Sequence, residues 1–290
     1  MLNILITIFC LLIIVILWLI LYDSNRFVVR QHTFADARIR KNFRAVVVAD
    51  LHNKQYGKKN EVLLTAIRES KPDMILVAGD IPTARPKARL DIAIDFLREL
   101  AEEYPIYYGN GNHEHRLRLY PETYGDMCER YDKALADMGV VRLVNTHVRL
   151  PELGVTIYGA EIDKYYYGRF GIRPMSDAYM KSILGAPTQD DYAILIAHNP
   201  DYFPQYADWG ADLVLAGHIH GGMVRVPIWG KGMVSPNIRL FPKYDGGLFH
   251  RGKTTMLLSR GLGMHTIPIR LFNPGEVLVV DFVGENKSSS

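Results

Sequence analysis

The sequence predicts a layered α/β domain, with two sheets packed face to face, that follows one membrane-spanning helix. Three observations favour this fold class. A long apolar run occupies the N-terminus, short apolar runs then alternate with helical segments, and the last part of the chain has apolar runs without helices between them. Strand–helix alternation followed by a β-rich end is typical of layered α/β domains. With 290 residues, 48% of them hydrophobic, the chain can bury a substantial core.

The N-terminal run predicts a membrane anchor over residues 1–22. Every residue from Ile4 to Leu21 is apolar except Thr7, and about 20 apolar residues suffice to cross a bilayer. A cleavable signal peptide is the alternative, but it would carry a charged start, a shorter apolar stretch and a small-residue cleavage site. The sequence "LWLILYDSN" offers no such site, so we expect an uncleaved anchor.

The residues after the anchor predict a basic linker over 23–41, a domain over 42–283 and a disordered tail over 284–290. No Lys or Arg precedes the apolar run, whereas Arg26, Arg30, Arg38, Arg40 and Lys41 follow it. A positive flank stays cytoplasmic, so we expect a single-pass membrane protein whose domain lies in the cytoplasm. A net charge of +3 gives no signal for nucleic-acid binding, and two cysteines form no disulfide framework.

Within the domain, the apolar runs predict strands and the amphipathic segments predict helices. Helices are expected around 61–69, 89–103 and 124–138. Strands are expected, in chain order, at 45–50, 73–80, 105–110, 155–160, 193–198, 213–218, 254–261 and 277–282.

Five of these strands end in polar side chains that bind metals. The carboxyl ends of strands in an open α/β sheet form the ligand-binding edge, so these side chains should lie together. Imidazole and carboxylate suit divalent ions such as Mn, Zn and Fe. A lone histidine at a strand end is commonly a surface residue, but the recurrence favours a metal centre. The residues are Asp50, His52, Asp80, Asn112, His113, His198, His218 and His220.

The order of these residues resembles the calcineurin-like metallophosphoesterases. The matching blocks are Asp50-Leu-His52, Gly79-Asp80, Gly111-Asn-His-Glu114, a lone His198 and Gly217-His-Ile-His220. Later stretches, "VPIWG", "YDGGLF", "SRGLG" and "PIRLFNPGE", extend the similarity to a bacterial membrane-associated branch. The resemblance implies a β-sandwich of two mixed sheets flanked by helices.

The resemblance also implies two divalent metal ions, of Mn, Zn or Fe, bridged by Asp80. Asp50, His52, Asp80 and His220 would hold the first ion. Asp80, Asn112, His198 and His218 would hold the second. Metal-bound hydroxide would then attack a phosphomonoester, a phosphodiester or a pyrophosphate. His113 would be the catalytic residue that stabilises the transition state, with the alternative that it only orients Asn112.

Two departures from the family pattern affect the expected activity. Protein-phosphatase relatives read Gly-Asp-x-x-Asp-Arg-Gly, whereas this chain reads "GDIPTAR" with Thr83 at the acidic position. We therefore do not expect protein-phosphatase activity, and the group that orients His113 is open. Met223 also stands where many members of the bacterial branch have Gln. Arg225, Arg260 and Arg270 are candidate phosphate ligands, with ordinary surface arginines as the alternative.

The sequence indicates a broad class of substrate but no particular compound. A cytoplasmic domain beside the bilayer would suit a lipid-linked or nucleotide-containing phosphoester, with residues 164–173 ("KYYYGRFGIR") as a lip of the site. The alternative for that stretch is an aromatic loop that packs on the sheets. Two other functions compete: a catalytically silent metal-binding or phosphoester-sensing module, and a structural zinc protein, which the lack of cysteine ligands disfavours. The oligomeric state is open.

Overall fold

The computed structural model describes residues 1–168, 171–235, 238–264 and 268–285. The strands of this part of the chain are β1 Phe27–Asp36, β2 Phe43–Val48, β3 Met74–Ala78, β4 Ile106–Gly109, β5 Val141–Leu143, β6 Thr146–Leu150, β7 Val155–Ala160, β8 Tyr192–Ala197, β9 Leu213–Ala216, β10 Gly247–Arg251, β11 Thr254–Leu258 and β12 Gly275–Gly284. The α-helices are α1 Leu2–Ser24, α2 Glu61–Glu69, α3 Leu90–Ala101, α4 Asn112–Leu119, α5 Pro121–Tyr124, α6 Met127–Asp137, α7 Tyr179–Leu184 and α8 Phe203–Trp209.

The strands form two six-stranded sheets, in the orders β1-β12-β2-β3-β4-β5 and β10-β11-β9-β8-β7-β6. Strands β2 to β5 are parallel in the first sheet, and β12 pairs antiparallel with β2. Strands β7, β8, β9 and β11 are parallel in the second sheet, with antiparallel strands at both edges. Both sheets are therefore mixed, which confirms the predicted fold class.

The two sheets pack face to face with helices on both outer faces. The residues buried between the sheets include Val47, Leu76, Ile194, Leu215 and Phe282. Helices α2, α3 and α6 cover the first sheet, and α7 and α8 cover the second. Strands buried on both faces read as continuous apolar runs, which is why the sequence identified the central strands.

The segment predicted as a basic linker differs in the structure, because most of it forms β1. Phe27 to Asp36 pair in parallel with Gly275 to Gly284 along the whole of β12. The excess of basic residues predicted a linker. In the structure these side chains lie along the edge of a sheet, where they form ion pairs with acidic residues. Arg30 contacts Glu276 at 2.9 Å, and Arg38 contacts Asp212 at 2.9 Å. Exposed charges are common on edge strands, which they protect from further pairing.

Helix α1 leaves this body without packing on it. By length and composition it can cross a membrane, no residue of its most apolar window is buried, and a signal sequence would pass the same test. Its C-terminal end is attached to the body. The Asp23 carboxylate accepts from the Asn273 amide at 3.3 Å, and the Ser24 hydroxyl accepts from the Arg270 amide at 3.2 Å.

Candidate metal centre

The predicted site residues meet where the carboxyl ends of both sets of parallel strands converge. Asp50 and His52 follow β2, Asp80 follows β3, and Asn112 begins α4 after β4. From the second sheet, His198 follows β8, and His218 and His220 follow β9. The structure therefore brings two edges together, one from each sheet, at a single site.

One group of ligand atoms consists of Asp50, His52 and His220, all buried and within 4.8 Å of one another. The Nε2 atom of His220 lies 3.4 Å from the Asp50 carboxylate, and that of His52 lies 3.8 Å from it. The two Nε2 atoms are 3.3 Å apart. Three such donors facing one point could hold a metal ion.

A second buried group consists of Asp80, His198 and His218, again within 4.8 Å of one another. The Asp80 carboxylate lies 3.1 Å from Nε2 of His198 and 3.7 Å from Nε2 of His52. Asp80 also forms a group with His52 and His113. Its carboxylate therefore reaches donors of both groups, as a bridging ligand would.

Two of the histidines are oriented by backbone carbonyls. His220 Nδ1 lies 3.0 Å from the Gly263 oxygen, and His198 Nδ1 lies 2.7 Å from the Ala78 oxygen. A carbonyl only accepts, so Nδ1 carries a proton, and Nε2 is the nitrogen that would direct its lone pair into the site once it is deprotonated by a metal ion. Histidines that bind metals are oriented in the same way.

The site residues adopt a strained backbone that the sequence did not reveal. Asp50, His52, Asp80, His218 and His220 have φ values of 51°, 48°, 57°, 74° and 53°. Such left-handed conformations are uncommon for residues other than glycine. Each costs on the order of 1–3 kcal/mol, and they concentrate at functional sites. The turns after β2, β3 and β9 thus direct these side chains inward at a cost in stability.

The clustered charges shift the pKa values of the acidic and basic groups. Burial is the largest cause of the pKa of about 7 at Asp50; His198 lowers this pKa and the Asp80 carboxylate raises it. Burial also acts on Asp80, but His198, His113 and His52 outweigh it and lower its pKa well below the usual value. Burial disfavours the charged form of His198, but Asp80 and Asp50 raise its pKa to about 10. Metal ions bind deprotonated ligands and would replace the protons that this cluster retains.

Asn112 supplies an independent test of whether these residues fit metal ions. Among the described residues, its side-chain oxygen is buried and has no hydrogen-bond partner. Buried polar atoms are almost always paired, and an amide oxygen can bind a divalent cation. Together with the carboxylates and imidazoles, it completes a mixed nitrogen and oxygen donor set that suits Mn, Zn or Fe. The residues fit the ions that the resemblance implies.

Glu114, the last residue of the Gly111-Asn-His-Glu114 block, is fully buried. Its carboxylate accepts from the amides of Asp80, Ile81 and Gly111 at 3.0, 3.0 and 2.9 Å. The Tyr108 hydroxyl also donates to it. Burial, and next the charge of Asp80, raise the pKa of Glu114 to about 7. Glu114 thus joins the turn after β3 to the start of α4 and fixes Asp80 beside Asn112.

The structure identifies what orients His113. The Ala84 amide donates to His113 Nδ1 at 2.8 Å, and the His113 amide donates to the Asp80 carboxylate at 2.8 Å. Because Nδ1 accepts, the neutral ring carries its proton on Nε2. A backbone amide next to Thr83 thus takes the orienting role that an acidic side chain has in the protein-phosphatase pattern. No side-chain motif could have predicted this contact.

The three candidate phosphate arginines serve the fold instead. Arg270 is completely buried and donates to several backbone carbonyls, including those of Arg260, Gly261 and Gly263. Arg225 is also buried and donates to the carbonyls of Gly221 and Asp245. The Arg260 guanidinium lies 3.7 Å from the Glu276 carboxylate. The described residues give no structural reason why Met223 stands at the position where many members of the bacterial branch have Gln.

A cavity of about 460 Å³ opens beside the second group, lined by Asn112, His113, His115, Arg116, Leu119, Tyr120, Thr123, Tyr124, Lys164, Tyr167 and His218. Lys164 Nζ lies 4.3 Å from the centre of the Tyr120 ring, and the Tyr167 ring packs edge-on against His218 at 5.3 Å. Residues 164–173 therefore contribute to the cavity wall, while Arg169 and Phe170 lie outside the described residues. The lining is basic and aromatic, which suits an anionic substrate with an apolar or ring-containing part.

Two sheets that bring carboxylates and imidazoles together beside a basic cavity define a metal-dependent phosphoesterase. The calcineurin-like phosphoesterase family model matches residues 43–222, which is more than half of the chain. The chain belongs to this family and is a hydrolase of phosphoesters.

The chain is similar to several bacterial proteins. The metallophosphoesterase YkuE of Bacillus subtilis is 26% identical over 88% of this chain and 85% of its own. The phosphodiesterase YaeI of Escherichia coli is 26% identical over 76% and 75%, respectively. The chain spans 61% of the longer metallophosphoesterase Cj0846 of Campylobacter jejuni, at 26% identity over 85% of this chain. The NAD nucleotidase of Haemophilus influenzae matches over 76% of this chain and 45% of its own, with 13% identity and a TM-score of 0.44.

Proposed function

We propose that the protein is a membrane-anchored phosphoester hydrolase with two metal ions bridged by Asp80. Asp50, His52, Asp80 and His220 hold the first ion; Asp80, Asn112, His198 and His218 hold the second. The observation that carries the proposal is the position of Asp80, whose carboxylate lies 3.1 Å from His198 and 3.7 Å from His52. A shared carboxylate offsets the repulsion between two neighbouring cations.

When bound, the ions acidify water and neutralise phosphoryl oxygens. His113 brings a hydrogen-bond donor to the cavity wall, because the Ala84 amide donates to its Nδ1 and the neutral ring then carries its proton on Nε2. That proton can stabilise the phosphoryl group or pass to the leaving oxygen. Glu114 keeps the turns that carry Asp80 and Asn112 in fixed register, so these ligands need little rearrangement on binding.

The cavity supports a substrate with a phosphoryl group and a further anionic or ring-containing part. Arg116 and Lys164 bring positive charge to its wall, while Tyr120, Tyr124 and Tyr167 bring rings. A lipid-linked or nucleotide-containing phosphoester has both features. The relative YaeI is named a phosphodiesterase, which favours a diester among the three ester classes.

The apolar α1 supports a membrane location, and the basic residues that follow it favour a cytoplasmic domain. A catalytically silent phosphoester sensor is the second candidate, since the same residues would bind metal without turnover. The family model and the relative that is named a phosphodiesterase favour the enzyme.

The test is to purify the full chain in detergent, measure bound metal by mass spectrometry, and assay a phosphoester panel after loading with Mn, Zn or Fe. We expect two ions per chain and hydrolysis that a chelator abolishes and metal restores. Two ions without hydrolysis of any ester would favour the sensor. A single ion per active chain would contradict the bridged centre.

A further inference from the structure

An exposed apolar surface lies apart from the cavity. We call it the apolar rim, and it consists of Ile228, Trp229, Ile238, Leu240, Phe241 and Phe272. Ile228 is 91% exposed, Trp229 77%, Leu240 69% and Phe241 61%. Single exposed apolar residues are ordinary, but a group of large ones with three aromatic side chains on neighbouring turns marks an interaction surface.

The exposure of the rim is set by the fold. The backbone around Ile228 and Trp229 turns back on itself, since the Val226 amide donates to the Lys231 carbonyl at 2.9 Å and the Met233 amide to the Val224 carbonyl at 2.7 Å. The buried Arg225 guanidinium donates to the Gly230 carbonyl. A buried cation thus supports a turn that presents isoleucine and tryptophan to the outside.

The rim is attached to the segment that receives the end of α1. Val224 pairs with Leu271, and the Arg225 amide donates to the Leu271 carbonyl at 3.0 Å. The residues on either side of Leu271 bind the anchor, since the amides of Arg270 and Asn273 donate to Ser24 and Asp23. The rim and the point where α1 leaves the body therefore share one segment, and the unburied α1 does not cover the rim.

The same segment reaches the metal centre. The Asn273 side chain donates to the His220 carbonyl at 2.7 Å, while its backbone amide binds Asp23. One residue thus contacts the end of the anchor and a proposed ligand of the first ion. A bilayer that contains α1 would lie close to both the rim and the site.

The chemistry of the rim suits the interfacial layer of a membrane. Tryptophan and other large apolar side chains are favoured there, with lysine beside them to meet anionic headgroups. Lys231 and Lys243 are exposed on the same segments. We propose that the apolar rim inserts into the interfacial layer of the bilayer that α1 spans. The metal centre then opens at the membrane surface and acts on phosphoesters held in lipid headgroups, an inference that rests on the proposed function.

The chain contains three tryptophans, which allow a matched test. Full-length variants that retain only Trp18, only Trp209 or only Trp229, with phenylalanine at the other two positions, are placed in phosphatidylcholine–phosphatidylglycerol vesicles. Lipids brominated at different depths serve as quenchers. Trp18 in α1 reports the anchor. Trp209 lies before the amino end of β9, whereas the site lies at the carboxyl end of that strand, so Trp209 is the matched control. Hydrolysis of a soluble aryl phosphodiester checks that each variant folds.

We expect deep bromines to quench Trp18, shallow bromines to quench Trp229 by at least twofold, and neither to quench Trp209. Quenching of Trp18 with Trp229 behaving like Trp209 would overturn the rim proposal while leaving the anchor intact. No quenching of Trp18 would refute the anchor of the proposed function. Self-association that Trp229→Asp abolishes, without quenching of Trp229, would show that a second copy covers the rim and would also overturn the proposal.

Discussion

Arg270 and His220 donate hydrogen bonds to the same acceptor, the carbonyl oxygen of Gly263, at 2.8 and 3.0 Å. The Arg270 guanidinium is completely buried, and it also holds the carbonyls of Arg260 and Gly261. The orientation of a proposed metal ligand therefore depends on a loop that a buried cation holds in place.

The first prediction tests this dependence. Arg270→Lys keeps the charge but loses the planar fork, so carbonyls would be left unsatisfied in the interior. We expect a loss of about 3 kcal/mol or more in the free energy of unfolding, since each hydrogen bond from a charged donor contributes about 1.5–3 kcal/mol. Affinity for the first ion should also fall. Urea unfolding and metal titration in detergent measure both, and Arg251→Lys, in an exposed pair with Asp208, is the control.

The second prediction concerns the bridge. Asp80→Asn should abolish hydrolysis and reduce bound metal from two ions toward one, because a neutral amide bridges two cations poorly. Metal analysis and a turnover assay on the same preparation provide the measurement. Asp208→Asn at the surface should change neither. Full activity with two ions in the Asp80 variant would refute the bridging role.

The third prediction separates catalysis from metal binding at His113. His113→Ala should retain two ions while turnover falls by about 10²–10⁴-fold, the usual contribution of a positioned acid or base. The structure places Nδ1 against the Ala84 amide, so the ring directs Nε2 away from that contact. Loss of an ion in this variant would instead make His113 a ligand. Substitution of His250, an exposed histidine on β10, is the control.

The fourth prediction concerns pH and stability. Asp191 accepts from Arg149 and from the Thr156 hydroxyl at 3.0 Å, and Arg149, the largest cause, lowers its pKa below 3.8. A carboxylate whose pKa is lower in the folded state than in the unfolded state stabilises the protein at pH values above its unfolded-state pKa. This stabilisation is lost as the pH falls through its folded-state pKa. Asp191→Asn should therefore cost about 1.5–3 kcal/mol at pH 7. The difference from the unsubstituted protein should shrink as pH falls below 3.8.

Urea unfolding from pH 7 to pH 3 measures this difference. Asp208→Asn, which disrupts the exposed pair with Arg251, should show almost none at either pH. A difference for Asp191→Asn that grew at low pH would contradict the assigned sign.

The fifth prediction concerns topology. Protease added to intact spheroplasts should leave the domain undigested, because a basic flank after a membrane-spanning helix predicts a cytoplasmic domain. Lysed spheroplasts are the control, in which the same protease should cleave the domain. Digestion in intact spheroplasts would place the domain outside.

The cluster of candidate metal ligands could be predicted from the sequence because parallel strands align their carboxyl ends, which places residues such as Asp80 and His198 at the binding edges of their sheets. The fold class could be predicted because strands that are buried on both faces have continuous apolar sequences. Strand β1 could not be predicted, since its arginines resemble those of a linker until Glu276 is in place beside Arg30. The orientation of His113 depends on the backbone amide of Ala84, and it could not be predicted because almost every residue type has such an amide.

Strand β12 lies between β1 and β2 in the first sheet, although it is the last strand of the chain. Helix α1 is made before the domain and, as the proposed anchor, can enter the membrane while the domain is still being made. The facing edges of β1 and β2 remain unpaired until residues 275–284 have been synthesised, which at usual rates of synthesis takes roughly 10–50 s more. During that interval the two strand edges are unpaired and exposed to mispairing. The sheet therefore stays incomplete until β12 is made, and truncation within β12 should yield aggregated chains even when every proposed metal ligand is present.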